Sequence, residues 1–195
     1  MGLRSTSALA LALLLLLPVA PSQGRPPQAY IDGVKLRRGA HADLLVDFRV
    51  EGILNERILD TLDSGLPVRF TYWVQVTRPR EFLRDQVVAD RKLVRILEKD
   101  NLKDRFRVTF EDGEEPRDVA TLDAAIRTMA RVEGVSVLPL AALDASRPLV
   151  LRLKAQLQKF QLPFRLHYLF AFVSYWDVET DWYSVVLPAT PDDLP

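Results

Sequence analysis

Leu66-Pro67-Val68-Arg69-Phe70-Thr71-Tyr72-Trp73-Val74-Gln75-Val76-Thr77 decides the fold. Val68, Phe70, Tyr72, Val74 and Val76 fall on one side of an extended chain, and Arg69, Thr71, Trp73, Gln75 and Thr77 on the other. Side chains of a strand alternate between faces, so this pattern describes a sheet with a core on one face only. The strands of a doubly wound parallel sheet would be apolar on both sides. The expectation is therefore an antiparallel, mainly β fold. Trp73, on the polar side, is either covered by another element, the preferred reading, or exposed for a partner.

The reading extends in both directions from this strand. Upstream, Gly65 suits a helix end, and Leu54, Ile58 and Leu62 recur at i, i+4, i+8 on one helical face with Asn55 as cap. Before the helix, residues 42–51 alternate Leu44, Val46, Phe48 and Val50 against Asp47, Arg49 and Glu51, and residues 30–37 form a partner strand across a Gly39 turn. Downstream, residues 85–98 fit two templates. Val94-Arg95-Ile96-Leu97 suits a strand, whereas Val87, Arg91, Val94 and Glu98 also line a helix. A strand is preferred, because residues 104–111 alternate well and residues 101–104 join the two as antiparallel partners.

Thr121 caps a second predicted helix with Leu122, Ala125, Ile126, Met129 and Val132 on its apolar side and Gly134 at its end. Residues 135–143, interrupted by Pro139, read as an edge piece. Residues 148–158 alternate again, and a last strand falls near Trp182 to Leu187. The fold class expected is mainly β (α+β): an antiparallel, β-sandwich-like sheet with two short helices. It occupies residues 30–188, with a disordered tail at 189–195.

Residues 1–22 have the plan of a signal peptide. Arg4 is the positive region, Ala8 to Leu17 an unbroken apolar run, and Ala20-Pro21-Ser22 places small residues for cleavage after Ser22. The apolar run is shorter than the ~20 residues of a membrane-spanning helix. An uncleaved anchor is the alternative, and a flexible leader follows at 23–29. The expected location is periplasmic or secreted. The 26 basic and 26 acidic residues leave no basic excess for nucleic acid. With no cysteine the chain has no disulfide, thiolate nucleophile or thiolate zinc site.

Recognisable catalytic chemistry is scarce. His41 lies in a turn and His167 among aromatics, without ligand spacing between them. No Gly-x-Ser-x-Gly elbow and no glycine-rich phosphate loop occurs. The one dense cluster is residues 164–183, which hold eight of the chain's nine Phe, five Tyr and three Trp. Within it, Tyr168 to Val173 reads as core, or as a face toward lipid or a partner. Asp177, Glu179 and Asp181 stand at i, i+2, i+4, which on a strand aligns three carboxylates between Trp176 and Trp182. Such a set could hold calcium, or pair two carboxyls as glycosidases do, or form an exposed rim over packed tryptophans. Trp176, Asp177, Glu179, Asp181 and Trp182 are therefore the candidate binding rim. No catalytic, cofactor or metal residue is assigned.

The order of elements is familiar. Val34-Lys35-Leu36, residues 42–52, the run Leu59 through Gly65-Leu66-Pro67-Val68-Arg69-Phe70, Arg78-Pro79-Arg80, Leu162-Pro163 and the tryptophan-bearing end together resemble bacterial domain of unknown function family 4390. The resemblance covers about Ile31 to Leu187. It implies a secreted or envelope protein, in some genomes encoded beside a nitrogen-regulation-type sensor kinase, and brings no catalytic residues. The expected function is non-catalytic binding as an envelope or periplasmic accessory protein of a membrane partner, linked to membrane sensing or signalling. An apolar-ligand (lipid) carrier, with its ligand between helix Leu54–Asp63 and the sheet, is the alternative. A carboxylate-dependent hydrolase is the third.

Overall fold

The structure is a computed structural model that describes residues 29–144, 146–158 and 178–194. The signal segment, nearly all of the leader, Tyr168 to Val173, His167, Trp176 and Asp177 lie outside the described residues. Among the described residues, nine strands and two α-helices follow in the order β1 (Tyr30–Arg38), β2 (Asp43–Glu51), α1 (Glu56–Asp63), β3 (Val68–Arg78), β4 (Gln86–Asp100), β5 (Arg105–Phe110), β6 (Arg117–Val119), α2 (Leu122–Ala130), β7 (Arg131–Pro139), β8 (Val150–Gln158) and β9 (Tyr183–Val186). They build a three-stranded sheet, β1-β2-β7, and a six-stranded sheet, β6-β5-β4-β3-β8-β9, with every pairing antiparallel. The protein is thus a mainly β, α+β domain, as its alternation requires.

Leu44, Val46, Phe48 and Val50 of β2 and Phe70, Tyr72, Val74 and Val76 of β3 are buried in one shared core. Phe48 and Tyr72 meet edge to face across the two sheets, ring centroids 6.3 Å apart. Each fully buried large apolar side chain stabilises the fold by about 1.5–3 kcal/mol, so these facing strands supply much of the driving force. In β1, Gly33 (φ +61°) makes a bulge against β2. The extra residue lets Ile31, Val34 and Leu36 all turn toward the core.

Both helices begin where capping chemistry predicts. The Asn55 side chain accepts from Ile58 N at 2.9 Å and the Thr121 hydroxyl from Ala124 N at 3.2 Å. In α1, Ile58 and Leu62 enter the core while Leu54, before the cap, is exposed. Gly65 takes φ +73° past the helix end, and Leu66 N closes back on Thr61 O at 3.1 Å.

The second helix is shorter than its periodicity suggested. It stops at Ala130, Arg131 is extended, and Val132 reaches the core from β7. Three residues after Met129, Val132 continues the helical stripe by spacing alone. Gly134 consequently ends no helix. At φ +68° it lies in a bulge of β7 opposite Asp47, to whose Oδ1 its N–H donates at 2.7 Å. Asp47 also takes Arg37 Nε at 2.5 Å and Nη2 at 2.8 Å, so one carboxylate ties all three strands of the smaller sheet. Arg37 holds the Asp47 carboxyl below the usual carboxylate range, with the Gly134 N–H adding to the effect and partial burial opposing it.

Residues 86–98 are strand throughout, and Asp85 belongs to the preceding loop. Here the inward side of β4 carries Arg95 between Leu93 and Leu97. Arg95 is 4% exposed, its guanidinium 5.6 Å from the Tyr72 ring centroid and 5.1 Å from that of Phe110. Its Nη1 donates to the carbonyls of Thr128 (2.8 Å), Met129 (3.1 Å) and Arg131 (2.5 Å) at the end of α2. Tyr72 Oη donates to the same Met129 carbonyl at 2.6 Å. A cation at the negative end of a helix meets the carbonyls the helix leaves unpaired. Burial draws the Arg95 pKa down and pushes the Tyr72 pKa up.

Candidate functional site

Three members of the candidate rim, Glu179, Asp181 and Trp182, are described, and they sit where β9 closes the six-stranded sheet. Approaching β9, the chain first pairs with the end of β8. Thr180 N donates to Ala155 O at 2.9 Å, Ala155 N donates to Thr180 Oγ1 at 3.0 Å, and Leu157 N donates to Val178 O at 2.8 Å. Thr180 is buried by this arrangement and Val178 packs against the core. Their neighbours Glu179 and Asp181 consequently point to the outer face.

A bulge then interrupts the ladder. Between the pairs Gln156↔Glu179 and Leu153↔Tyr183, three residues, Thr180, Asp181 and Trp182, face two on β8, Lys154 and Ala155. A bulge re-aims side chains, and here it leaves Trp182 above two cations of β8. Arg152 Cζ lies 4.7 Å and Lys154 Nζ 5.4 Å from its ring centroid. Such contacts are worth about 0.5–1 kcal/mol each at exposed sites, which holds the ring in place while it remains 37% exposed. Glu179 pairs with Lys154 Nζ and accepts from Gln156 Nε2 at 3.2 Å.

The two described carboxylates have different surroundings. Glu179 is neutralised by Lys154, and Asp181 is exposed. Among the described residues no three His, Asp or Glu side chains come together to hold a metal ion. Asp177, the third carboxylate, and Trp176 lie outside the described residues. What the structure adds to the rim is its basic half, Arg152 and Lys154. They stand two apart on the polar side of β8, but only the β8–β9 pairing brings them under Trp182.

Beyond the bulge, β9 is a bare edge among the described residues. Leu187 N donates to Leu149 O at 2.8 Å, and the antiparallel alternation aims the backbones of Tyr183 and Val185 at β8. The N–H and C=O groups of Ser184 and Val186 then point outward along the open side. Tyr183 and Val186 also expose apolar surface there. Open backbone, apolar side chains and a fixed aromatic–cation rim are what a strand-adding partner requires.

A shallow, open apolar groove lies elsewhere, along Val34 and Leu36 of β1, bordered by Lys35 and Arg37. No helix of the described residues is long and apolar enough to cross a membrane.

A family model described as Domain of unknown function (DUF4390) matches residues 27–186. No curated protein and no solved structure matches the chain.

Proposed function

We propose that this chain, which belongs to the DUF4390 family, is a non-catalytic envelope or periplasmic binding protein, an accessory partner of membrane machinery linked to sensing or signalling. The signal-like plan of residues 1–22 supports the compartment. The observation that carries the binding role is the edge at β9. There Trp182, fixed over Arg152 and Lys154, adjoins a strand whose outer backbone has no partner among the described residues. The partner is an extended segment of an envelope protein that adds a strand beside β9 and places acidic or aromatic side chains against Trp182 and Arg152. Backbone pairing supplies affinity in such contacts and side-chain pockets supply selectivity.

A photocrosslinking residue at Ser184, introduced in cells, tests this. The expected product is a covalent adduct with one envelope protein, and Val186→Pro should abolish it. That substitution removes an outward N–H while the bonds of β9 to β8 stay intact. Absence of any adduct, or an adduct indifferent to Val186→Pro, overturns the assignment. Cell fractionation checks the compartment separately, and recovery in the cytosol rules out the envelope role.

The second reading is an apolar-ligand carrier, expected to hold its ligand between helix Leu54–Asp63 and the sheet; the open apolar groove along Val34 and Leu36 is a different place that supports it. Native mass spectrometry of the purified protein should then show a co-purifying lipid mass. Ligand-free spectra from gentle preparations dispose of it.

A further inference from the structure

The connection between β3 and β4 is seven residues long, Pro79 to Asp85, more than the two to five of an ordinary hairpin. Its middle residue is Phe82, 94% exposed, followed by Leu83 at 69%. On the β4 side of the loop, Val87 and Val88 are exposed as well. Val88 is the extra residue of a bulge, between the pairs Val76↔Ala89 and Thr77↔Val87. Single exposed apolar side chains are ordinary, and Leu102 in the β4–β5 turn is one. An apolar apex with two valines at its base is a patch, and the fold makes no use of it.

The two arginines at this apex are not neutralised by ion pairs among the described residues. Arg37, Arg38, Arg49, Arg69, Arg107, Arg117, Arg127 and Arg131 each pair with a carboxylate. Arg80 and Arg84, which bracket Phe82 and Leu83, are exposed and enter no ion pair among the described residues, as is also true of Arg91, Arg105 and Arg147; Arg78 at the base is half-buried, its Nε enclosed. Glu81 and Asp85 share the loop, so the segment from Arg78 to Asp85 has three positive and two negative charges. An apolar tip bracketed by unpaired arginines matches a membrane surface, with acyl chains for the tip and anionic headgroups for the guanidiniums.

We propose that the β3–β4 hairpin is a lipid-docking tip, inserting Phe82 and Leu83 into the interface of an anionic bilayer while Arg80 and Arg84 bind phosphate headgroups. The tip follows the end of β3, two strands from Val186 of β9, but its residues are not those of the β9 edge, and each can fail without the other.

The absence of native cysteine makes the test direct. Leu83→Cys and, as control, Leu102→Cys in otherwise full-length protein each carry a single environment-sensitive NBD label. Both are added to vesicles of phosphatidylcholine alone or with about one-third phosphatidylglycerol. The label at 83 should brighten several-fold and shift to the blue on the anionic vesicles, and a lipid-borne quencher should reach it. The label at 102 should stay as in water, which separates tip insertion from attachment through the apolar N-terminal run. Arg80→Gln and Arg84→Gln should each weaken partitioning by about fivefold, and Phe82→Ser by at least tenfold. Inorganic phosphate should not compete at millimolar concentration, since the tip recognises headgroups at a surface; full competition would recast it as a soluble-anion site and overturn the proposal. So would an unchanged label at 83, an equal change at both positions, or a change seen only with native membranes and abolished by their proteolysis.

Discussion

Removing both donors from the Met129 carbonyl should cost more than the two single removals together. Tyr72 Oη and Arg95 Nη1 reach this buried oxygen at 2.6 and 3.1 Å. Tyr72→Phe deletes one donor in a fully buried site, and the oxygen keeps the other. The loss should sit near the low end of the ~0.5–1.5 kcal/mol usual for one hydrogen bond. Arg95→Met takes a donor from the Thr128 and Arg131 carbonyls too. Each stripped buried carbonyl costs about 1–3 kcal/mol, partly offset because a buried cation no longer needs desolvating. About 2–4 kcal/mol is expected overall. In the double variant the Met129 oxygen has no donor among the described residues, so an excess of roughly 1 kcal/mol or more should appear over the sum. Urea unfolding followed by tryptophan fluorescence gives the four stabilities. For a domain of this size each kcal/mol also moves Tm by about 2–4 °C. A cycle that closes within about 0.5 kcal/mol would falsify the shared-acceptor account.

Gly134→Ala should destabilise by about 1 kcal/mol through its positive φ alone, since an added Cβ meets nothing within 4 Å; a neutral change in urea unfolding would remove the bulge from the account. Asp47 has a lowered pKa in the folded protein, so its share of stability is fully present above the unfolded value near 4 and fades as pH falls through the lower folded value. Asp47→Asn should therefore lower stability at neutral pH and flatten the acid limb below about pH 4. Thermal melts between pH 7 and pH 2 that run parallel to the wild type would contradict this.

Alternation made β2, β3 and β8 legible because each has one face in the core and one in water. Thr71 and Thr77 show its limit, since both lie on the polar side of β3 and are nonetheless buried. On that side Trp73 is half-buried, in register with Lys92 and Lys154. β4 read ambiguously for a physical reason. Its inward side carries Arg95 where a two-residue period demands an apolar residue, and its outward side carries Val94, buried, and Ile96. Only the end of α2, distant in sequence, explains a buried arginine. β6 has three residues, two of them exposed, and so offered no pattern. At the candidate site, the acidic and aromatic rim residues were visible in one stretch of sequence. Their cations were not, because Arg152 and Lys154 reach Trp182 through strand pairing and a bulge.

The strand order has a kinetic consequence. β3 lies between β4, its neighbour in sequence, and β8, and Tyr72 aligns with Ala155 about eighty positions later. Closing so long a loop is entropically slow, and sheets dominated by distant pairings fold on the millisecond-to-second scale. A chain emerging N-terminus first can form the β3–β4 hairpin early, but one side of its central strand stays unpaired until β8 arrives. Until then Phe70, Tyr72 and Val74 have an incomplete core, and the exposed edge invites pairing with other copies. Emergence of β8, rather than of any earlier part of the chain, is thus the earliest moment at which the central strand can lock.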